Sequence, residues 1–125
     1  MKSATLQDLG DRTKAYALRI IRLYAALPKT TEAQVMGKQA LHSGTSVGAQ
    51  YREARRAKSD ADFVSKIESG LQELDETAYW LELLGEAAIV KKELLQPLLN
   101  ETQELIAIFV TMDKKVKGRM KKAKG

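Results

Sequence analysis

His42 is the single histidine of the chain and the one side chain whose ordinary pKa places its charge change near neutrality. A catalytic imidazole needs a nucleophile held at hydrogen-bond reach. Ser43 and Ser46 lie within a turn of it on the same helix, which is a poor placement, and the chain has no cysteine. The acids Glu53, Glu73, Glu76 and Glu82 fall on two neighbouring helices. Inside a bundle such acids can bridge two metal ions, but that chemistry takes a Glu-x-x-His pair from each of two helices. Here one histidine is available, and Gln39 stands where the glutamate belongs. The plainer reading is that these acids face water or bond to neighbouring side chains. Gly44-x-x-x-Gly48 lies inside a helix with no following Lys-Ser/Thr, so it is not a phosphate loop. We assign no catalytic, cofactor-binding or metal-ligating residue, and expect no cofactor and no enzymatic activity.

Two basic stretches remain. Arg52, Arg55, Arg56 and Lys58 close a helix, where cations suit the negative end of the helix dipole. They are also candidate phosphate contacts, with Glu53 placed to pair with Arg56 and weaken them. Lys114, Lys115, Lys117, Arg119, Lys121, Lys122 and Lys124 crowd the last 12 residues, which hold no acid. This is the stronger electrostatic footprint. It has no aromatic residue for base stacking, so it would hold phosphate without reading sequence. A solubilising tail is the competing reading.

Four helices must position these groups. The first is predicted over about Asp11 to Leu27, with Ala17, Ile20, Ile21, Leu23, Tyr24 and Leu27 inward and Pro28 as its stop. The second runs from a Thr31 cap, with Gln34 as capping-box partner, to about Ala57. Its seam is Ala33, Met36, Ala40, Gly44, Val47, Tyr51 and Ala54. Gly44 and Gly48 each cost roughly 1 kcal/mol of helix propensity, which close approach of another helix would offset. Ser59 caps the third helix, with Asp62 in the box position. Phe63, Ile67, Gly70, Leu74, Thr77, Leu81 and Leu84 form its core stripe, and Gly85 is expected to end it. The fourth covers about Lys92 to Lys117, burying Leu95, Leu98, Leu99, Thr102, Leu105, Ile106, Phe109, Met112 and Val116. Pro97 is expected either to start the main helix after a short leading turn or to kink it. The fold class is all-α, an antiparallel up-down-up-down four-helix bundle. Residues 1–117 form one domain, and 118–125 a basic, disordered tail.

Composition agrees. The chain has 125 residues, 44% hydrophobic and 30% charged, with two prolines. The N-terminal MKSATLQDLGDRTK lacks an apolar signal core, and no apolar run approaches the roughly 20 residues that span a bilayer. A cytoplasmic protein with no membrane partner is expected. The charge is strongly divided: residues 1–58 carry 11 basic and 4 acidic side chains, net +7, and residues 59–113 carry 3 and 12, net −9. A uniformly basic nucleic-acid binder would not look like this. Tyr79, Trp80 and Leu83 add apolar surface outside the core stripe and are the candidate subunit interface.

The segment Leu41-His42-Ser43-Gly44-Thr45-Ser46-Val47-Gly48-Ala49-Gln50, followed by Glu76-Thr77 and Tyr79-Trp80-Leu81-Glu82-Leu83-Leu84, resembles the bacterial four-helix-bundle family of 23S ribosomal RNA intervening-sequence proteins. The match extends in one register over about Arg12 to Lys117. His42 stands where relatives often have arginine, and Gln50 where they often have asparagine. The resemblance implies the same bundle, a closed homo-oligomeric ring with a pentamer favoured, and no enzymatic activity. A distantly similar bundle that binds nucleic acid implies RNA or DNA as a possible partner. The expectation is a non-enzymatic scaffold or adaptor that partners itself and contacts phosphate through basic residues. The alternative is an accessory subunit that binds another protein and no nucleic acid.

Overall fold

The computed structural model describes the backbone of residues 6–124 and the side chains of residues 8–123. Among the described residues there are four helices and no strand: α1 (Leu6–Ala26), α2 (Thr31–Arg55), α3 (Asp60–Glu86) and α4 (Lys92–Lys124). Contacts run in opposite order along each consecutive pair, so the bundle is antiparallel. Gly10, Thr13, Ile20 and Tyr24 of α1 lie against Arg55, Gly48, Gly44 and Gly37 of α2. Ser43, Gln50 and Glu53 of α2 meet Thr77, Gly70 and Lys66 of α3. Asp60, Glu68, Gly70 and Gly85 of α3 meet Arg119, Lys117, Phe109 and Leu95 of α4. α1 reaches α4 mainly through long side chains.

The core follows the heptad-like stripes, with differences. α2 buries Ala33, Gly37, Ala40, Ser43, Gly44, Val47, Tyr51 and Ala54, and α3 buries Val64, Ile67, Gly70, Leu74, Thr77, Ala78, Leu81, Leu84 and Gly85. On α1 the inward face is Leu9, Thr13, Tyr16 and Ile20. Ile21, placed inward by the sequence reading, is 43% exposed. The apolar run around it is continuous, so spacing alone does not choose the face. α4 buries Leu95, Leu98, Thr102, Leu105, Phe109, Val116 and, unexpectedly, Asp113.

Helix ends correct several expectations. α1 starts at Leu6 and passes through Gly10. The N-cap of α2 is Thr30, not Thr31: its hydroxyl accepts from Ala33 N at 3.3 Å. Gln34 is no box partner. It donates to the Pro28 carbonyl at 2.8 Å and accepts from the Tyr24 phenol at 2.9 Å, so it braces the turn. Ser59 caps α3 as expected, accepting from Asp62 N at 3.0 Å. Gly85 does not end α3; it is buried against Leu95 and Lys92. The left-handed residue is Ala88, at φ 60°. Ile89 N donates to Leu84 O at 3.0 Å and Ala88 N to Gly85 O at 3.1 Å, the paired bonds of a Schellman stop. α4 is one continuous helix from Lys92 with Pro97 inside it, so the main helix does not start at Pro97. Residues 118–124 of the expected tail are helical, since α4 extends through Gly118 to Lys124, and Gly125 lies outside the described residues. Residues 120–124 are mostly good helix formers, and the basic charges suit a helix C-terminus.

The small face of α2 is a fit to α1. A Cβ at Gly44 would come within 2.7 Å of Ile20 Cγ1 and 3.3 Å of Ile20 Cβ. Ile20 is fully buried and β-branched, so it cannot swing aside cheaply. Gly44→Ala gains roughly 1 kcal/mol of helix propensity and incurs about 1–3 kcal/mol of overpacking. We predict net destabilisation, read as a lower urea midpoint by circular dichroism. Ala88→Gly relieves a left-handed alanine and should raise stability by about 1 kcal/mol in the same assay.

Candidate functional site

The antiparallel order brings both basic stretches to one end of the bundle. Arg52, Arg55 and Arg56 finish α2, Lys58 lies in the following turn, and Asp60 opens α3. Arg119 of α4 clamps that same Asp60 with two bonds, NH2 to Oδ1 at 2.8 Å and Nε to Oδ2 at 3.2 Å. The Arg119 guanidinium holds the Asp60 carboxyl below the usual carboxylate range. Residues 120–124 therefore run past the start of α3 by about 7 Å at helical rise. The Lys124 side chain lies outside the described residues.

The cations are not equivalent. Lys117 pairs with Glu68 and, at 3.4 Å, with Asp113. Arg119 pairs with Asp60. Lys114, Lys115, Lys121 and Lys122 are exposed with no ion pair among the described residues. The same holds for Arg52, Arg55, Arg56 and Lys58. Glu53 does not pair with Arg56: it turns to Lys66 of α3 at 2.9 Å, leaving the arginines uncompensated. Arg12 bridges α1 to α4, with NH2 2.6 Å from Glu101 Oε1, Nε 3.1 Å from Glu101 Oε2, and NH2 3.3 Å from Glu104. Its guanidinium pKa is raised chiefly by Glu101.

At mid-bundle lies a buried hydroxyl layer that spacing did not reveal. Tyr16 OH and Thr102 Oγ1 are 2.7 Å apart, joining α1 to α4, and Ser43 Oγ and Thr77 Oγ1 are 2.7 Å apart, joining α2 to α3. Thr102 and Thr77 also donate to the Leu98 and Glu73 carbonyls. Each has one hydrogen, so Tyr16 and Ser43 are the donors across the helices. Burial pushes the Tyr16 phenol up to about 12, with partial relief from the Thr102 and Thr77 hydroxyls. Thr77 and Thr102 stand in the predicted stripes; the signal for the layer was a threonine in each of two otherwise apolar stripes.

Of the other candidates, Tyr79 is 54% exposed and meets Trp80 edge-on at 5.1 Å. Trp80 donates to Glu76 at 3.3 Å, and both Trp80 and Leu83 are half-buried. His42 is exposed; Ser43 is committed to Thr77, and Ser46 donates to the His42 carbonyl at 2.7 Å. Among the described residues no group of three or more His, Asp or Glu side chains is placed to hold a metal, and no helix is long and apolar enough to cross a membrane.

The fold and its surface define an antiparallel four-helix bundle with a satisfied polar layer inside and cations gathered at one end. The chain belongs to the 23S rRNA-intervening sequence protein family, whose model matches residues 8–111. It is also similar to a protein with unknown function from the S23 ribosomal protein family of Bacteroides thetaiotaomicron, seen in a crystal structure at 1.70 Å resolution. The two are 39% identical with a TM-score of 0.80, over 84% of this chain and 97% of that one. No curated protein matches the chain.

Among the described residues, Asp113 carries the one buried side-chain oxygen left without a hydrogen-bond partner, its Oδ1, and the residue is 8% exposed. Desolvation first, then the Glu68 carboxylate, raises its pKa, against the pull of Lys117. The folded state thus binds the Asp113 proton more tightly than the unfolded chain, so this group adds stability as pH falls through its folded pKa. Asp113→Asn removes the desolvated charge and supplies a donor toward Glu68. It should stabilise by roughly 1 kcal/mol at pH 7. In urea titrations that advantage should shrink on acidification, as the wild-type carboxyl takes up its proton.

Proposed function

We propose that the protein is a non-enzymatic, cytoplasmic scaffold or adaptor. Copies close head to tail into a homo-oligomeric ring, a pentamer, whose basic ends contact RNA or DNA phosphate. The observation that carries the reading is the gathering of Arg52, Arg55, Arg56 and Lys58 with Lys114, Lys115, Lys121 and Lys122 at one end, all without acid partners among the described residues. Lys117 and Arg119 contribute less, since both are occupied on α3.

The ring is supported by the side-to-side division of charge. α1 packs on α2 and α3 on α4. The +7 half and the −9 half of residues 1–113 therefore lie on opposite sides. A rotation that places one side against the other in the next copy gives a heterologous contact that can close. Tyr79, Trp80 and Leu83 lie on the acidic side as its apolar anchor. Five gathered basic ends would add weak phosphate contacts by avidity. A second reading, an accessory subunit for another protein, is favoured by Leu94 and Tyr79, which are 71% and 54% exposed.

Native mass spectrometry at micromolar concentration should give five copies, and Tyr79→Glu should shift the mass towards one. A wild-type monomer would rule out the ring. Labelled single-stranded RNA should bind at low salt, with affinity falling steeply as salt rises. Removal of residues 118–125 should weaken it about tenfold or more, by loss of phosphate contacts. Unchanged binding would overturn the nucleic-acid reading, and a protein partner that survives nuclease would favour the accessory subunit.

A further inference from the structure

The α1 and α2 surfaces beside the basic end enclose a groove of about 530 Å³, a size typical of small-molecule sites. Lys14 enters from α1, and Arg52, Arg55 and Arg56 enter from α2. Positions 52, 55 and 56 share a helix face, and all three arginines line the groove. Gly10, Ala17, Gly48 and Ala49 give the lining its small side. The Arg55 guanidinium lies over Gly10, with NH1 3.2 Å from where a Cβ would stand.

These cations differ from those that staple the bundle. Arg12, Lys66, Lys117 and Arg119 each hold a carboxylate. Lys14, Arg52, Arg55 and Arg56 hold none among the described residues. Glu53 lines the groove but is engaged by Lys66. The carbonyl end of α2 carries only about half a negative charge, which three arginines outweigh. The remaining polar groups present acceptors. Thr13 and Thr45 donate their hydroxyl protons to the Leu9 and Leu41 carbonyls, both at 2.8 Å or less. Thr13 is 1% exposed and out of a ligand's reach, so the lone pairs of Thr45, with the Asp11 carboxylate, are left to receive donors from a ligand. Tyr51, the aromatic ring in the lining, is 1% exposed and offers no stacking face.

We propose that this groove binds a phosphate ester carrying hydroxyl groups, of sugar-phosphate to nucleotide size. The phosphate sits on Arg52, Arg55, Arg56 and Lys14, and the hydroxyls donate to Asp11 and Thr45. The site shares its arginines with the basic end but needs neither a ring nor a polymer.

Titration calorimetry of the full chain with ribose 5-phosphate and with ADP tests it, with a single-stranded RNA oligonucleotide as a third arm. The expected result is saturable binding, one ligand per chain, for at least one small ester. Lys14→Gln, and Arg52→Gln with Arg56→Gln, should each weaken it at least tenfold. Ala49→Phe tests the groove without altering charge: the position is exposed and lines the groove, so the ring occupies ligand space and binding should be lost while the helical signal stays. Lys121→Gln with Lys122→Gln should leave it unchanged. No saturable binding of either ester would overturn the proposal. So would ester binding indifferent to Ala49→Phe, which would place the ligand elsewhere. RNA binding alone, lost with Lys121 and Lys122 and not with Lys14, would overturn the groove while leaving the polymer reading standing.

Discussion

The close approach of α1 to the small face of α2 constrains everything else. Gly37, Gly44 and Gly48 face Tyr24, Ile20 and Thr13 at distances that leave no room for a β-carbon at Gly44 without movement. Each of these glycines weakens an isolated helix by roughly 1 kcal/mol. The contact is stable only because Ile20 and its neighbours pack where side chains would have been. Drawing α1 against α2 also draws it away from α4. The remaining span is bridged by long side chains: Tyr16 reaches Thr102, and Arg12 reaches Glu101 and Glu104. The same close packing leaves a shallow small-sided trough beside Gly10, Gly48 and Ala49, which becomes the groove.

The hydroxyl layer adds specificity to that packing. Apolar stripes alone tolerate sliding of one helix past another, because one leucine contact resembles the next. A fully buried Tyr16, Ser43, Thr77 and Thr102 do not tolerate it. Sliding by a turn would strand hydroxyls in hydrocarbon, at about 1–3 kcal/mol for each unsatisfied group. Asp113 shows the contrast: there a buried carboxylate faces Glu68 and leaves one oxygen unpartnered. The interior is thus pinned where its polar groups are satisfied and strained where they are not.

The helices, their order and most of the core were legible from periodicity, because a stripe at helical spacing has one burial solution when loops are short. Legibility failed where two signals competed. Thr30 and Thr31 are both good caps, and only the geometry of the Pro28 turn, braced by Gln34, selects Thr30. Gly85 looked like a stop because glycine favours left-handed turns. It is instead a packing glycine, and Ala88 takes the strained position. Tyr16 escaped the first stripe because Leu18, Ile21 and Leu23 crowd the neighbouring faces. Of the candidate site, the cations were plain in the sequence, but their pairing was not. That Glu53 would abandon Arg56 for Lys66 depends on where α3 lies against α2.

Charge counts along the chain therefore mislead in a particular way. The C-terminal stretch holds seven cations, which makes it the more basic segment, yet Lys117 and Arg119 are spent on Glu68 and Asp60 to anchor the end of α4. The α2 terminus has fewer charges but keeps Arg52, Arg55 and Arg56 all uncompensated, since the acid beside them is occupied. Local potential follows unpaired charge held near a low-dielectric wall, not total charge. Lys121 and Lys122 stand on a helix end that extends past α3, where solvent and salt screen them. The three arginines and Lys14 line a concave surface between two packed helices. For a single phosphate the groove is thus the stronger attractor, and the α4 end matters where many phosphates are met at once.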